Sequence, residues 1–160
     1  MDSSQKILGD NIGPWREQAR REGRRLVVTN GCFDILHSGH VTYLESARNC
    51  GDLLLVGLNS DASVRALKGP SRPVNSEQDR ARVLAALQSV DAVAIFNEPA
   101  ATAFLERIRP EIYVKGGDYT LEKLNPEERR VVEAAGGKIV LLGFVPGKST
   151  TALLEKIQRL

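Results

Sequence analysis

Both histidines of the chain lie in one short segment, and their spacing is the clearest indication of chemistry in the sequence. Two residues separate His37 from His40, and an apolar stretch at residues 26–29 precedes them. A helical pattern begins at about His40, so both imidazoles can face a helix N-terminus, where unpaired backbone N–H groups favour an anion. Gly31 and Gly39 let the backbone approach a ligand without obstruction by a Cβ atom. This loop therefore predicts a phosphate-binding site.

Two other interpretations of the histidine pair stay open at this point. One is structural: His40 caps its helix, and His37 is a hydrogen-bonded core side chain. The other is a zinc site, because Cys32, Cys50 and the two histidines are ligands that zinc accepts. Cys50 would lie at the far end of the helix, roughly 15 Å away at about 1.5 Å per residue, which argues against zinc. The loop is neither a P-loop nor a dinucleotide fingerprint, since Gly-Lys-Ser/Thr and G-x-G-x-x-G are both absent from it.

Short apolar runs alternate with longer amphipathic segments from residue 26 onward, and this alternation predicts βα units. The runs are apolar on successive residues, which is typical of strands buried on both faces of a parallel sheet. We expect strands at residues 26–29, 53–58, 92–96, 112–114 and 138–142. Helices are expected at about residues 40–49, 61–67, 76–88, 100–108, 127–135 and 149–159. The predicted fold class is α/β: a single Rossmann-like, doubly wound domain with a five-stranded parallel sheet and helices on both faces.

Composition excludes several classes of function. Lys plus Arg number 22 and Asp plus Glu 20, so a net charge of +2 is too balanced to bind nucleic acid or an anionic membrane by its bulk field. The start of the chain lacks the pattern of a secretory signal, and no apolar run reaches the roughly 20 residues of a membrane-spanning helix. We expect a cytoplasmic protein with no nucleic-acid and no membrane partner. Residues 1–24 are expected to form a solvated leading helix or extension, and residues 25–160 the folded domain.

The loops that follow the strands are the segments expected to bind ligands. Doubly wound sheets bind ligands beyond the carboxyl ends of their strands, a position held here by residues 30–40, 115–119 and 144–151. The second and third loops offer candidate contacts at Lys115, Gly116 and Asp118, which could border a flat base, and at Ser149, Thr150 and Thr151, which open the last helix. An ordinary turn and a plain helix cap explain the same residues, so spacing alone leaves both interpretations open.

Several motifs resemble one family, in the same order and at comparable spacing. Gly31-Cys32-Phe33-Asp34 with His37-Ser38-Gly39-His40 is similar to the G-x-F-D-x-x-H-x-G-H signature of the cytidylyltransferase-like nucleotidyltransferase superfamily. Within it, the chain resembles the adenylyltransferase domain of ADP-heptose synthases from about residue 26 to the C-terminus. The further motifs are V-G-L-N-S-D at 56–61, L-K-G at 67–69, R-P-V-N at 72–75, V-K-G-G-D-Y at 114–119 and S-T-T at 149–151.

This resemblance implies transfer of AMP from ATP to D-glycero-β-D-manno-heptose 1-phosphate, giving ADP-heptose and pyrophosphate for the lipopolysaccharide core. It implies direct in-line attack without a covalent intermediate, Mg²⁺ that enters with ATP, and a homodimer that pairs near residues 80–91. Many relatives carry a fused sugar kinase, for which 160 residues leave no room, so a separate kinase is expected to supply the sugar phosphate. Two alternatives remain: a cytidylyltransferase for glycerol 3-phosphate or another alcohol phosphate, and a nucleotide-binding regulator without turnover.

Roles for individual residues follow from the resemblance. The catalytic groups, all expected to act on the phosphates, are His37, His40, Lys68 and Arg80. Nucleotide binding falls to Asn30, Gly31, Cys32, Phe33, Gly39, Lys115, Gly116, Asp118, Ser149, Thr150 and Thr151. Substrate contacts are expected from Asp34, Asp61 and Tyr119, and no protein ligand of the metal is assigned. Phe144 stands where cytidylyltransferases for glycerol 3-phosphate have an arginine, which favours ATP over CTP. Residues 97–102 replace an acidic stretch of the heptose enzymes.

Overall fold

A parallel sheet of five strands forms the centre of the molecule, in the order β3-β2-β1-β4-β5. The computed structural model describes residues 2–117, 120–143 and 145–160. The strands are β1 (Leu26–Gly31), β2 (Leu53–Asn59), β3 (Ala92–Phe96), β4 (Ile112–Gly116) and β5 (Lys138–Leu142). Strand order reverses between β1 and β4, so the carboxyl ends of these two strands form the crevice in which doubly wound sheets bind ligands.

Helices cover both faces of this sheet. Among the described residues they are α1 (Ile12–Arg21), α2 (Ser38–Arg48), α3 (Asp61–Lys68), α4 (Glu77–Ala86), α5 (Thr102–Ile108), α6 (Pro126–Ala134) and α7 (Thr150–Gln158). Buried side chains of α1, α5 and α6 pack on one face, and those of α2 and α4 pack on the other. The predicted α/β architecture is therefore confirmed. None of the helices in the described ranges is long and apolar enough to cross a membrane.

The predicted strands are confirmed, and three of them extend beyond their apolar runs. β1 continues to Gly31, β2 to Asn59 and β4 to Gly116. Ladder pairing extends them, since Gly31 lies opposite Leu58 and Gly116 lies opposite Leu142. Hydrophobicity marks the buried middle of a strand, whereas pairing continues into the polar residues that border the crevice.

Helix starts follow capping chemistry. Ser76 and Ser149 each accept a hydrogen bond from a backbone N–H in the first turn of α4 and α7. The α2 helix begins at Ser38, earlier than the predicted start at about His40, because the His37 side chain supplies its cap. The six helices predicted after the first strand agree with the structure to within two residues at each end. The caps of α2 and α7 place both helix N-termini at the crevice.

The leading segment is docked on the sheet, which corrects its interpretation as a solvated helix. Leu8 and Ile12 are buried in the core. Arg16 is only 2% exposed, donates to the carbonyl of Ile108 at 3.0 Å and pairs with Glu111 at 2.6 Å. The partners of Arg16 lie in the second half of the chain, so the local sequence does not reveal them. It shows only a run of mixed charges, which is typical of a solvated surface. The segment contributes one layer of the fold.

Candidate active site

A cavity of about 470 Å³ opens at the carboxyl ends of β1 and β4, and a groove of about 760 Å³ adjoins it. The cavity is lined by most of the predicted site residues, namely Asn30, Gly31, Cys32, Phe33, Asp34, Gly39, His40, Lys68, Lys115, Gly116 and Thr150. The groove adds His37, Ser149 and Thr151. The predicted contacts Asp118 and Tyr119 lie outside the described residues, as does Phe144. Lining residues to which sequence analysis gave no role include Tyr43, Asn59, Arg72, Glu128 and Lys148.

The two histidines form a reciprocal capping box at the start of α2. Nδ1 of His37 accepts the backbone N–H of Gly39 at 3.1 Å, and Nδ1 of His40 accepts the backbone N–H of His37 at 3.3 Å. The ring centroids are 3.9 Å apart. Because each Nδ1 is an acceptor, the proton of each neutral ring lies on Nε2. The caps therefore fix the tautomer and leave an Nε2–H donor on each ring.

Both rings are neutral at physiological pH. Burial lowers the pKa of His40 to about 4, and the charge of His37 in its protonated form and the charge of Lys68 act in the same direction. The pKa of His37 is also lowered, by burial and by the nearby charge of Lys148. A neutral ring with its proton on Nε2 can donate to a phosphate oxygen but cannot take a proton at that nitrogen. The pair is therefore suited to holding negative charge in place.

A second helix N-terminus faces the same groove. Ser149 caps α7 by accepting the backbone N–H of Ala152 at 3.0 Å. The Thr150 hydroxyl donates to the carbonyl of Ile35 at 3.2 Å, which ties α7 to the loop after β1. Thr151 follows on the wall of the groove. The N-termini of α2 and α7 thus converge on one space, where their dipoles favour an anion.

Two lysines add positive charge to this space. Lys68 is the last residue of α3, which ends at Gly69 with a φ of 94°. The Lys68 side chain is exposed and lines both the cavity and the groove. Lys148 lines the same two spaces, although sequence analysis gave it no role. Its position directly before the capped start of α7 is the signal that would have identified it.

Asp34, which was expected to contact the substrate, lines the cavity and holds a neighbouring loop in place. Its carboxylate accepts from Nε of Arg72 at 2.6 Å and from the backbone N–H groups of Val74 and Asn75 at 2.8 and 3.1 Å. Burial acts to raise the pKa of Asp34, but the hydrogen bonds from Asn75, Val74 and Arg72 outweigh burial and keep the pKa below its ordinary value. The charged carboxylate therefore fastens residues 69–76 beside the cavity.

Arg80 and Asp61, which were expected to contact the triphosphate and the substrate, are engaged by the protein itself. Arg80 is 2% exposed, and neither residue lines the cavity. The guanidinium donates through Nη1 to the carbonyls of Cys32 and Asn59, at 2.6 and 2.9 Å, and through Nε to the carbonyl of Asn75 at 3.0 Å. Its Nη2 donates to Oδ1 of Asp61 at 2.7 Å. Arg80 therefore joins the loops after β1 and β2 to the start of α4.

Two glycines expected to admit a ligand, Gly39 and Gly116, also make room for the protein's own rings. A Cβ on Gly39 would lie 2.9 Å from the His37 ring, and a Cβ on Gly116 would lie 2.6 Å from the Tyr43 ring. These distances are shorter than any normal contact, so both positions need glycine for internal packing. The tight packing at Gly39 holds the His37 ring against the start of α2.

The Phe33 ring supports the histidine loop from the cavity side. Phe33 has a positive φ of 43° and is 8% exposed. Its ring lies where a Cβ on Gly31 would approach to 3.0 Å, and its centroid is 5.5 Å from that of His40. The neighbouring Cys32 is half-buried, and burial raises the pKa of its thiol. The loop therefore offers the cavity an aromatic ring and a neutral thiol beside the histidines.

The part of the cavity away from the groove contains a buried carboxylate. Glu128 of α6 is 5% exposed, and its Oε1 accepts the backbone N–H of Ala101 at 2.8 Å. Oε2 lies 3.0 Å from the Tyr113 hydroxyl and 3.6 Å from Nζ of Lys115. The Tyr113 hydroxyl also donates to Oδ1 of Asn30 at 2.7 Å. Sequence analysis placed Asn30 and Lys115 in this region but missed Glu128.

The zinc alternative lacks the required geometry. Cys50 follows the C-terminal end of α2, where its thiol donates to the carbonyl of Ser46 at 3.4 Å. Cys32 lines the cavity near the opposite end of that helix. In the ranges that the structure describes, no group of three or more His, Cys, Asp or Glu side chains is placed to hold a metal ion.

Comparison with known proteins first identifies close relatives. The bifunctional protein HldE of Methylobacillus flagellatus is 56% identical over 138 residues, which cover 86% of this chain and 28% of that protein. The bifunctional protein HldE of Geotalea uraniireducens is 52% identical over 158 residues, which cover 98% of this chain and 32% of that protein. The chain therefore spans about a third of the length of these curated relatives.

A solved structure and a family model agree with these relatives. The crystal structure of the lipopolysaccharide core biosynthesis protein from Thermoplasma volcanium GSS1 superposes with a TM-score of 0.63 at 26% identity, covering 77% of this chain and 98% of that chain. Residues 28–148 match the sequence model of the family described as cytidylyltransferase-like. The matched region runs from β1 to the segment before α7 and contains the histidine pair. The chain therefore belongs to the cytidylyltransferase-like family of nucleotidyltransferases.

Proposed function

We propose that this nucleotidyltransferase transfers AMP from ATP to D-glycero-β-D-manno-heptose 1-phosphate, giving ADP-heptose and pyrophosphate. The observation that carries the proposal is the pair of neutral histidines, fixed as Nε2–H donors, where the N-termini of α2 and α7 converge. This arrangement supplies hydrogen-bond donors for phosphates, and the proposed reaction needs no general base. The relatives named HldE and the neighbour titled lipopolysaccharide core biosynthesis protein support the choice of a heptose phosphate as the acceptor.

The proposed reaction is an in-line exchange at the α-phosphorus of ATP. A phosphate oxygen of the sugar phosphate forms the new O–P bond, and the bond between the α-phosphorus and the leaving pyrophosphate breaks. A phosphate monoester has a second pKa of about 6, so the attacking oxygen is charged at neutral pH and no base has to remove a proton. Catalysis then depends on positioning and on donors for the charge that moves to pyrophosphate.

We assign the donor roles to four side chains of the groove. The Nε2–H groups of His37 and His40 would donate to the phosphate oxygens whose charge grows as the bond to pyrophosphate breaks. Lys68 and Lys148, which both line the cavity and the groove, would bring positive charge to the same phosphates. The N-terminus of α7, with its Ser-Thr-Thr start, would hold the remaining phosphate oxygens.

ATP is proposed to enter as its Mg²⁺ complex. Mg²⁺ keeps several of its waters and usually binds proteins through one or two carboxylates. Among the described residues, two carboxylates line the cavity, and neither lines the groove proposed to hold the phosphates. Asp34 is engaged with Arg72 and backbone N–H groups, and Glu128 lies beside Lys115. We therefore treat the metal as part of the substrate and assign it no protein ligand.

The proposed reaction requires a kinase activity that supplies the sugar 1-phosphate, and we propose that the chain pairs with a second copy of itself. The expected dimer region near residues 80–91 includes Val83, which is 50% exposed. Part of this region is covered by the chain's own leading segment, where Lys6 donates to the carbonyls of Leu87 and Val90. We therefore propose that pairing uses the exposed side of α4, which light scattering would test as a doubled molecular mass.

Pyrophosphate release tests the proposed reaction. The purified chain is given Mg²⁺, each nucleoside triphosphate in turn, and either the heptose 1-phosphate or glycerol 3-phosphate. We expect rapid release only with ATP and the heptose 1-phosphate. A preference for CTP with glycerol 3-phosphate would assign the chain to the alcohol-phosphate cytidylyltransferases. Nucleotide binding without pyrophosphate from any pair would identify a regulator, and either result would overturn the proposal.

Substitution of one histidine tests the mechanism. His40→Ala should lower kcat by on the order of 100-fold or more, because it removes a preorganised donor to the developing charge. Glu127→Gln is the matched control, since Glu127 is an exposed residue of α6 that pairs with Arg130 at the surface. A His40→Ala protein with lower folding stability and normal turnover would contradict the assigned role.

A further inference from the structure

Glu128 occupies the part of the cavity that the anion-binding groove does not share. Five residues line both the groove and the cavity: His40, Lys68, Val145, Lys148 and Thr150. Other residues line the cavity but not the groove. They include Glu128, Asn30, Lys115, Gly116 and Pro99. The cavity therefore has one region rich in positive charge and N–H donors, and another region that contains a buried carboxylate.

This distribution of charge orients a nucleotide. Phosphates gain from the two histidines, the lysines and the helix N-termini, whereas a phosphate beside the Glu128 carboxylate would meet a like charge. The neutral part of the nucleotide therefore lies toward Glu128. In a nucleoside triphosphate the ribose adjoins the phosphates and the base is farthest from them, so the group that reaches Glu128 is the base.

The carboxylate of Glu128 keeps acceptor capacity for a ligand. A carboxylate has about four lone-pair sites. The N–H of Ala101 uses one site on Oε1. The Tyr113 hydroxyl carries a single hydrogen, which it shares between Oε2 of Glu128 at 3.0 Å and Oδ1 of Asn30 at 2.7 Å. Lys115, 3.6 Å from Oε2, balances the charge of the carboxylate at a distance beyond hydrogen bonding. A remaining lone pair can therefore accept an N–H group from the cavity.

We infer that Glu128 determines base specificity by accepting a hydrogen bond from the exocyclic amino group of the base. This inference deepens the proposed function and rests on it. Adenine carries an amino group at C6, whereas hypoxanthine carries a keto oxygen at the same position. A keto oxygen at C6 would place an acceptor against the carboxylate, which is the kind of mismatch that gives strong discrimination.

The test compares ATP with inosine 5′-triphosphate, which has a keto oxygen at C6 and a hydrogen on N1, in wild type and in Glu128→Gln. Glutamine can keep an oxygen for the N–H of Ala101 and places an NH₂ donor where the second carboxylate oxygen was. We expect wild type to bind and use ATP at least 100-fold better than the inosine nucleotide. In Glu128→Gln this ratio should fall at least tenfold. Glu127→Gln, one residue earlier and exposed, should leave it unchanged.

Two features of the design keep the test decisive. A ratio of two nucleotides in one preparation cancels any loss of folded protein, and calorimetric binding is measured apart from pyrophosphate release. An unchanged ratio in Glu128→Gln would overturn the inference. A variant that instead loses discrimination against 2′-deoxy- or 3′-deoxy-ATP would place the ribose at Glu128 and overturn the base assignment. Selective binding of ATP without turnover of any acceptor would refute the proposed function and leave the inference standing.

Discussion

Replacement of Arg80 distinguishes two possible roles of this residue, which are to hold the loops together and to bind phosphate. The guanidinium makes four hydrogen bonds, three to the carbonyls of Cys32, Asn59 and Asn75 and one to the Asp61 carboxylate. Arg80→Lys keeps the positive charge but replaces a planar fork with one ammonium group, which cannot reach acceptors on three separate segments. We expect this variant to lose stability and nucleotide affinity together.

The size of the effect follows from burial. The Arg80 side chain is 1% exposed and that of Asp61 is 26% exposed, so Asp61 can regain water but the three carbonyls around the guanidinium cannot. Breaking a buried charged pair costs about 3–5 kcal/mol, and each buried acceptor left without a donor adds about 1–3 kcal/mol. These costs overlap, so we expect the free energy of unfolding to fall by about 4 kcal/mol in Arg80→Ala and by about half of that in Arg80→Lys. For a chain of this size, about 4 kcal/mol lowers Tm by roughly 10 °C.

Urea denaturation and steady-state kinetics measure the two consequences on the same preparations. Arg82 lies on the same helix, is more than half exposed and pairs at the surface with Asp2, so Arg82→Lys and Arg82→Ala are the matched controls. Both controls should unfold like wild type and keep its KM for ATP. Arg80→Lys with unchanged stability and a lowered kcat would refute this reasoning, because it would show that Arg80 acts on the phosphates directly.

Three further predictions concern groups around the groove. The pKa of His40 is lowered from 6.5 to about 4 in the folded state, so its neutral ring stabilises the fold above pH 6.5. Up to about 3 kcal/mol of the free energy of unfolding should be lost as the pH falls from 6.5 to about 4. His40→Gln should remove this dependence from the free energy of unfolding measured in urea at each pH. Parallel pH profiles of wild type and variant would contradict the prediction. Asp34→Asn should lower the free energy of unfolding by about 2–3 kcal/mol and raise the KM for ATP, because it loosens the loop at Arg72. Unchanged stability with a raised KM for the sugar phosphate would indicate instead that Asp34 contacts the substrate directly. Ser149→Ala should lower stability by about 1 kcal/mol through loss of the α7 cap, as thermal unfolding would show; an unchanged Tm would mean that the cap is dispensable.

The layout of the sheet could be predicted from the sequence because its strands are buried on both faces. Leu26, Val27 and Val28 are all fully buried, and this burial produces the continuous apolar run from which the strand was predicted. Loops at the carboxyl ends then had to meet at one edge of a parallel sheet. The groove residues His37 and Thr151 are far apart in the chain, yet they line the same space for this reason.

The roles of Arg80 and Asp34 could not be predicted, because both depend on contacts between distant segments. A helical arginine beside polar residues looks the same in the sequence whether it faces a phosphate or a set of carbonyls. The carbonyl of Cys32 that accepts from Arg80 is 48 residues away in the chain. Asp34 and its partner Arg72 are 38 residues apart. Only the folded loops show that these charges are already neutralised within the protein.

Glu128 was missed for a different reason, although the sequence holds a signal for it. It lies in a run of charged residues that resembles a solvated helix surface. Val131 and Val132 follow at the i+3 and i+4 positions, which share a face of the helix with residue i. Both valines are buried, at 6% and 0% exposure, and Glu128 is 5% exposed. A carboxylate on the apolar face of a helix that flanks the crevice is therefore a candidate site residue.

Neutral histidines suit the proposed transfer better than additional fixed cations would. A full positive charge attracts ATP, the reaction's transition state and the released pyrophosphate alike, so much of its effect is uniform binding that does not raise kcat. Nε2–H donors held by a backbone capping box are directional, so they gain most at the oxygens where charge appears as the bond to pyrophosphate breaks. Burial keeps the pKa of His40 at about 4 and thereby preserves this donor across the physiological range. With a net charge of only +2, the chain attracts nucleotides weakly at long range, so the groove itself must supply both capture and selectivity.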